Sequence, residues 1–257
     1  MNIPKISIIT IAYNSEKTIE RTIKSVIQQN YSNLEYIIID GGSTDGTLDI
    51  IRKYETKITV WQSEPDNGIS NAFNKGIRLA TGEIIGIINS DDGLMPNALT
   101  NLSKSYEVDV DVYRGKVLLW KEDTGIQMEE IPSMHLSLCG LNYISHQSTF
   151  VTKKAYLKYG MYDESCRYVM DFDLLLRLQN AGTKWKFVDE VLAYYTLGGL
   201  TFTEFTQVRL DEIKMIIRRH GGSRWTLCRY EFQKRARIIL IKLVGKDNIM
   251  RIRKLLK

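Results

Sequence analysis

The pair Asp91-Asp92 stands inside Asn89-Ser90-Asp91-Asp92-Gly93, directly after the apolar run 83–88 (EIIGII). Two like charges at the end of a buried strand repel each other and are poorly solvated, so a divalent cation or a cluster of donors is what makes them tolerable. Hard oxygen ligands suit Mg²⁺ or Mn²⁺, which commonly takes one or two carboxylates and completes its shell with substrate phosphates. A solvated acidic turn is the competing reading, since Asp and Gly favour turns unaided. An EF-hand is excluded, because no glutamate closes a twelve-residue loop.

Two more polar segments carry chemistry. Asp40-Gly41-Gly42-Ser43-Thr44-Asp45-Gly46-Thr47 joins an apolar run to a helical pattern, and its small residues and backbone N–H groups can cradle a nucleotide. It has neither the lysine of a Walker loop nor the spacing of a dinucleotide fingerprint, and a tight turn with an N-cap accounts for the same residues. Asp171-Phe172-Asp173-Leu174-Leu175-Leu176-Arg177 reads as a helix start. Its two acids lie about 200° apart on a helix and cannot share a face. Asp173 is spaced to pair with Arg177, which leaves Asp171 to look into a cleft, kept ionised by the helix dipole. The alternative role for Asp171 is a helix cap.

These segments need a frame. Strand-length apolar runs at Ile6 to Ala12, Glu35 to Asp40, Ile58 to Trp61 and Glu83 to Ile88 alternate with helical patterns at Ser15 to Gln29, Thr47 to Tyr54 and Ile69 to Ala80, which predicts a parallel sheet with crossover helices. Asn14 or Ser15 is expected to cap the first helix. Three of the four strands end in the polar segments AYNS, DGGSTDGT and NSDDG. Ligands sit outside the carboxyl ends of strands in such sheets, so the three loops should meet. After Pro96 the pattern predicts a strand at Val110 to Trp120, an irregular stretch to about Leu141 and a short strand at Ser148 to Thr152. Helices at Lys153 to Tyr159 and Asp171 to Ala181, a strand pair at Trp185 to Tyr195 and helix from Glu204, interrupted at Gly221-Gly222, complete the expectation.

The runs SIITIAYN, IIIDGGSTDGT, EPDNGISNAFNKGI and NSDDG together resemble the nucleotide-binding half of the family 2 glycosyltransferases. ISHQSTFVTKKAYLKYGMYDE, YVMDFDLLLRL and YYTLGGLT resemble the acceptor half of the same family, so the likeness runs in order from about Ile6 to Thr201. It implies a GT-A fold: an α/β architecture whose Rossmann-like half has a mainly parallel mixed sheet flanked by helices. It also implies that Thr10, Ala12, Tyr13 and Asp40 hold the nucleoside, that Asp66 and Lys75 approach the base and the phosphate side, and that Ser90 and Asp91 border the donor. Asp91 and Asp92 cover the metal motif, usually Asp-x-Asp, and Asp171 matches the general base. His146 and Gln147, with Tyr195, Gly198 and Gly199, match the sugar and acceptor pocket; a structural histidine and a plain turn are the other readings. The chain departs from the family's usual form in Gly41, where a second acid is common, in Asn89 at the first metal position, and in Met170, where Glu often precedes the base.

The implied reaction is metal-dependent and inverting, with Mn²⁺ or Mg²⁺ as cofactor and a nucleotide-sugar donor, UDP-linked in the usual case. A lysine and the cation would offset the charge that builds on the leaving diphosphate. One positioned carboxylate suffices to take the proton of the acceptor hydroxyl.

Composition sets the remaining bounds. With 44% apolar and 25% charged residues over 257 positions, the chain can bury a large core and is not disordered. Cys139, Cys166 and Cys228 have no paired spacing, which argues for a reducing compartment. The three histidines are too scattered for a zinc site. No secretory leader and no membrane-spanning run are visible, so a cytoplasmic protein is expected. From Arg229 to Lys257 ten basic residues face two acidic ones, whereas the whole chain carries only +5. This amphipathic basic tail fits an anionic membrane surface; a helix packed on the core is its alternative, and no nucleic-acid module accompanies it. The expected organisation is a catalytic domain over 1–203, split at 95 into donor and acceptor halves, followed by a basic helical extension over 204–257. The acceptor implied is a saccharide, lipid-linked, at the inner face of the membrane in surface-polysaccharide assembly. A sugar-nucleotide-forming nucleotidyltransferase and a non-catalytic nucleotide-sugar or membrane-binding module are the alternatives.

Overall fold

A computed structural model describes residues 3–121, 126–138, 145–196 and 207–232. Gly198, Gly199, Cys139 and the basic tail from 233 onward lie outside the described residues.

The strongest apolar runs form the centre of one nine-stranded sheet. The strands β1 (Ile6–Ala12), β2 (Leu34–Asp40), β3 (Val60–Ser63) and β4 (Ile84–Asn89) are parallel, in the order β3-β2-β1-β4, with Ala12 opposite Asp40 and Ile11 opposite Asn89. That register brings the carboxyl ends of β1, β2 and β4 to one edge. Beyond β4 the sheet turns mixed. Antiparallel β8 (Thr149–Thr152) joins β4 to β6 (Val112–Lys121), and β6 runs parallel to β9 (Trp185–Thr196). β5 (Gly93–Leu94) pairs antiparallel with the last residues of β9, so the segment holding Asp91 and Asp92 is pinned between β4 and β9.

Alternation along the strands splits the apolar residues between two faces. On one face Ile8, Ile38, Ile84 and Phe150 pack against α1 (Ile19–Ile27), α2 (Thr47–Lys53) and α4 (Ala98–Lys104) through Ile23, Ile51 and Leu99. On the other, Ile9, Ile37, Ile85 and Val151 pack against α3 (Ile69–Leu79), α5 (Lys153–Tyr159), α6 (Met170–Asn180) and α7 (Gln207–Arg219). Ile213, Ile216 and Ile217 of α7 belong to this second cluster, so the first helix after residue 204 packs into the core that holds α6. A helix over 224–232 follows the turn at Gly221, whose φ is +78°. Among the described residues no helix is long and apolar enough to cross a membrane.

The structure departs from the sequence reading in three elements. A strand, β7 (Ile126–Glu130), pairs antiparallel with the outer half of β6 where an irregular stretch was expected. Trp185–Thr196 is one strand of twelve residues instead of a pair; the mid-strand Asp189-Glu190 is accommodated at a register shift against Gly115 and Lys116 of β6. The first helix begins at Ile19 with Thr18 before it and has no side-chain cap. Asn14 and Ser15 are used elsewhere: Asn14 Oδ1 accepts the Thr44 N–H at 2.9 Å, and Ser15 Oγ meets Ser90 Oγ at 2.7 Å.

Candidate active site

The three polar loops at the strand ends interlock. Asn14 N–H donates to Ser43 Oγ at 2.8 Å, Ser15 N–H donates to Thr47 Oγ1 at 2.7 Å, and Gly46 N–H donates to Glu16 Oε2 at 2.9 Å. Together with the Ser15–Ser90 contact, these bonds tie AYNS to both other loops.

Within the second loop, Asp40 is fully buried and turned inward. Its Oδ2 accepts from the Gly42 and Ser43 N–H groups at 3.0 and 2.9 Å and from Ser63 Oγ at 2.7 Å, while Oδ1 accepts from Ser43 Oγ at 2.5 Å. This carboxylate folds its own loop. Thr10 also lies inside, under β2, where its hydroxyl accepts from Tyr36 at 3.1 Å. Ala12 ends β1 and accepts the Gly41 N–H at 2.8 Å. The residues that face outward here are Tyr13, 64% exposed, and Asp66. They flank Gly41 closely: a Cβ on Gly41 would fall 2.6 Å from Asp66 Oδ2 and 3.4 Å from Tyr13 Cδ2. Glycine at 41 therefore keeps a slot walled by an aromatic ring and a carboxylate. Lys75 pairs with Glu64 at 2.7 Å and donates to the Pro65 carbonyl at 3.2 Å, which fastens the loop that carries Asp66.

The acidic pair divides between two environments. Asp92 is fully buried, with Oδ1 accepting the Thr196 N–H at 3.0 Å and Oδ2 accepting Gln147 Nε2 at 2.7 Å. Burial and the neighbouring Asp91 carboxylate push its pKa well up, against those two donors and Arg21. Asp91 is only partly buried; burial raises its carboxyl, and Arg21 opposes the rise. The backbone between them is held by α1 and β9. Arg21 Nη2 and Thr196 Oγ1 both donate to the Asp91 carbonyl, at 3.1 and 2.6 Å, and Thr22 Oγ1 donates to the Asp92 carbonyl at 2.6 Å. The Arg21 guanidinium also lies over Trp120, 4.7 Å from the ring centroid.

Asp171 approaches from the first turn of α6, its Oδ1 accepting the Phe172 N–H at 2.8 Å. Burial outweighs the helix dipole that was expected to hold it low and pushes its pKa up to about 6; the Phe172 N–H and the charges of Arg209 and Arg114 pull the other way. Asp173 does pair with Arg177, at 2.9 Å. Tyr195 stands among the acids: burial and the charges of Asp92, Asp91 and Asp171 all raise its phenol, with Arg209 opposing. Asp91, Asp92 and Asp171 thus share one region with Gln147 and Tyr195, whereas Asp40 lies apart in its loop. His146, next to Gln147 in the chain, packs on Phe73 of α3 at 5.7 Å between ring centroids; its buried Nε2 has no partner among the described residues, and burial lowers its pKa to about 4.

Three cations at the site were not anticipated: Arg21, Arg114 and Arg209. Arg114 is fully buried on β6, donates Nε to Thr149 Oγ1 at 3.2 Å and Nη1 to the Ser133 carbonyl, and has no hydrogen-bond partner for Nη2 among the described residues. Burial lowers its pKa to about 10, with Asp171 opposing. The sequence signal for it was weak, since Lys116 stands two residues further along the same strand. Arg209, on α7, faces Asp171 and Tyr195 electrostatically, and only the fold brings it there.

A divalent cation fits this donor set. The half-buried Asp91 carboxylate, beside an Asp92 whose two oxygens are taken by Thr196 and Gln147, offers the hard oxygens that would hold Mg²⁺ or Mn²⁺ together with substrate phosphates and water. Among the described residues no cluster of three or more His, Cys, Asp or Glu side chains offers a complete protein cage.

The family model described as Glycosyl transferase family 2 matches residues 7–166, more than half of the chain, and Asp171 lies past its end. The chondroitin synthase of Pasteurella multocida is 29% identical over 212 residues, covering 77% of this chain and 21% of the synthase. Among solved structures, Staphylococcus aureus TarS in complex with UDP-GlcNAc superposes with a TM-score of 0.68 at 20% identity, covering 84% of this chain and 65% of TarS. The mannosyltransferase PcManGT from Pyrobaculum calidifontis, in complex with GDP-Man and Mn²⁺, gives 0.65 at 15% identity, covering 85% of this chain and 64% of its own. This chain spans less than two thirds of either solved structure and about a fifth of the synthase. The fold is GT-A, and with its strand-end loops and acidic pair in the family's order, the chain belongs to glycosyl transferase family 2.

Proposed function

We propose that this chain transfers a sugar from a uridine diphosphate donor to a hydroxyl of a saccharide acceptor, inverting the anomeric carbon, in the assembly of a surface polysaccharide. The observation that carries the reading is the pairing of one carboxylate of raised pKa, Asp171, with the Asp91-Asp92 loop in a single region around Tyr195. TarS with its bound UDP-GlcNAc supports a uridine donor, and the chondroitin synthase supports a saccharide acceptor.

Tyr13 and Asp66 line the slot over Gly41 for the uracil and ribose, with the backbone of Ala12 beside it. Asp40, Thr10 and Lys75 act from behind, by shaping the loops. Asp91, with the more accessible carboxylate, would hold Mn²⁺ or Mg²⁺, and Asp92 would orient the loop from within while Ser90 and Ser15 close its other side. The cation supplies charge neutralisation for the diphosphate. Asp171 takes the proton from the acceptor hydroxyl as its oxygen attacks the anomeric carbon; the bond from that carbon to the diphosphate oxygen breaks, and the nucleoside diphosphate leaves with the electron pair. No second nucleophile enters, so the centre inverts. Gln147, His146 and Tyr195 form the sugar and acceptor side; Gly198 and Gly199, expected beside them, lie outside the described residues.

Thermal shift with nucleoside diphosphates and nucleotide sugars, with and without Mn²⁺, tests the donor. UDP and UDP-sugars should raise the Tm selectively, and more with Mn²⁺, because binding to the native state stabilises it by mass action. A shift with GDP alone would overturn the uridine assignment. The tail from Arg229 is proposed to hold the enzyme on the inner face of the membrane, beside a lipid-linked acceptor, through its cations and apolar stripe. Removing residues 233–257 should abolish binding to anionic vesicles; a truncated enzyme that still binds them would exclude this role.

A further inference from the structure

The general base is held by a helix that the nucleotide-binding half does not contain. The chain between α5 and α6 has no regular secondary structure, and α6 starts at Met170 without a side-chain cap on the preceding Val169. A helix start with no cap of its own leaves unpaired N–H groups and a loosely defined first turn. Asp171 stands in that turn. What fixes the turn comes from α7.

Glu212, only 8% exposed, accepts the N–H groups of Arg167 and Tyr168, each at 2.8 Å, one with each carboxylate oxygen. A bidentate charge-assisted pair of this kind sets direction as well as distance. About two turns further along α7, Arg219 Nη1 bridges Asp163 Oδ2 at 2.6 Å and Asp173 Oδ1 at 3.1 Å. His220 Nε2 lies 3.3 Å from the same Asp173 oxygen. Asp173 is fully buried, and its second oxygen takes Arg177, which also donates to the Tyr159 and Met161 carbonyls. α3 holds the upstream part of the segment, through Ser70 to the Cys166 carbonyl at 2.7 Å and Asn74 to both backbone groups of Tyr162. From Arg167 onward, among the described residues, the polar anchors on either side of Asp171 come from α7 and from Arg177.

We propose that Glu212 and Arg219 are positioning residues that set where the Asp171 carboxylate stands, so that α7 belongs to the catalytic machinery; this rests on Asp171 being the general base. Displacing a base by about 1 Å costs on the order of 10²-fold in rate, whereas the donor slot over Gly41 lies on other elements and is untouched.

The test uses the full chain, with Glu212→Gln, Glu212→Ala, Arg219→Lys, Arg219→Ala and Asp171→Asn, and reads kcat, donor KM, UDP affinity by calorimetry, and circular dichroism. Glutamine keeps one acceptor and turns an N–H toward the other donor. Glu212→Gln should lower kcat roughly 10- to 100-fold with donor KM and UDP affinity within about twofold of wild type, and Arg219→Lys should recover activity that Arg219→Ala loses. If Glu212→Ala does not fold, Glu212→Gln decides. A folded Glu212→Gln with kcat within about twofold of wild type, while Asp171→Asn is inactive, overturns the positioning role alone. Equal losses of kcat and UDP affinity also overturn it, since they mark general unfolding. A fully active Asp171→Asn overturns the general-base reading and the positioning role with it.

Discussion

Asp171→Asn is expected to lower kcat by about 10²- to 10⁴-fold while the protein keeps its affinity for UDP, because a positioned base contributes that much and asparagine cannot take a proton. The variant should fold. Asn Oδ1 can accept the same Phe172 N–H that Asp171 accepts. In the wild type the carboxyl must be ionised to act, and burial holds its pKa up to about 6. The rate should therefore be level above pH 7, where the group is roughly ten to one ionised, and fall about tenfold per unit below pH 6. Stability runs the other way. A carboxyl whose pKa is higher folded than unfolded binds its proton more tightly in the native state, so the wild type loses stability as the pH rises from about 4 to about 6. Asparagine is spared that loss, and Asp171→Asn should be the more stable protein at pH 7, by on the order of 3 kcal/mol. A variant that is inactive and more stable is the signature of a desolvated catalytic base. Wild-type turnover in Asp171→Asn would exclude the assignment.

How much of this was readable in advance depends on the range of the interaction concerned. The strands of the donor half are apolar runs bounded by polar ends, and β1 spans the expected residues, Ile6–Ala12. The split between Asp171 and Asp173 followed from helical spacing and from Arg177 four residues on, a contact local enough to be written in seven residues. The strand β7 was missed because IQMEE pairs only with the outer half of β6 and carries no apolar run. Residues 185–195 read as a strand pair, but β9 runs on through Asp189-Glu190, with Asp189 paired to Lys116 across the irregularity in β6. A sequence identifies a carboxylate without its direction, which is why Asp40 looked like a ligand group although four donors of its own neighbourhood claim it. Gln147 on Asp92 and Glu212 on the backbone of Arg167 join residues 55 and 45 positions apart, and no periodicity reports such pairs.

The different surroundings of Asp91 and Asp92 separate two variants that look equivalent in the sequence. Asp91→Asn is expected to remove the Mn²⁺-dependent part of UDP binding and to cost roughly 10²- to 10³-fold in kcat, since the accessible carboxylate is the one placed to meet a cation and its diphosphate. Its thermal stability should hold or rise, because neutralising Asp91 removes the one charge that, together with burial, disfavours the ionised form of Asp92. Asp92→Asn should fail differently. Both Asp92 oxygens accept N–H donors, from Thr196 and from Gln147, so an amide must turn its own N–H toward one of them. A buried donor facing a donor costs about 1–3 kcal/mol, and the loss falls on the junction of the loop with β9. Asp92→Asn should thus lower the Tm, with activity declining as the loop loosens. The ligand test is UDP titration of each variant with Mn²⁺ and with chelator. If Asp91→Asn keeps the Mn²⁺ enhancement and a folded Asp92→Asn loses it, the cation belongs to Asp92, and Asp91 serves the loop.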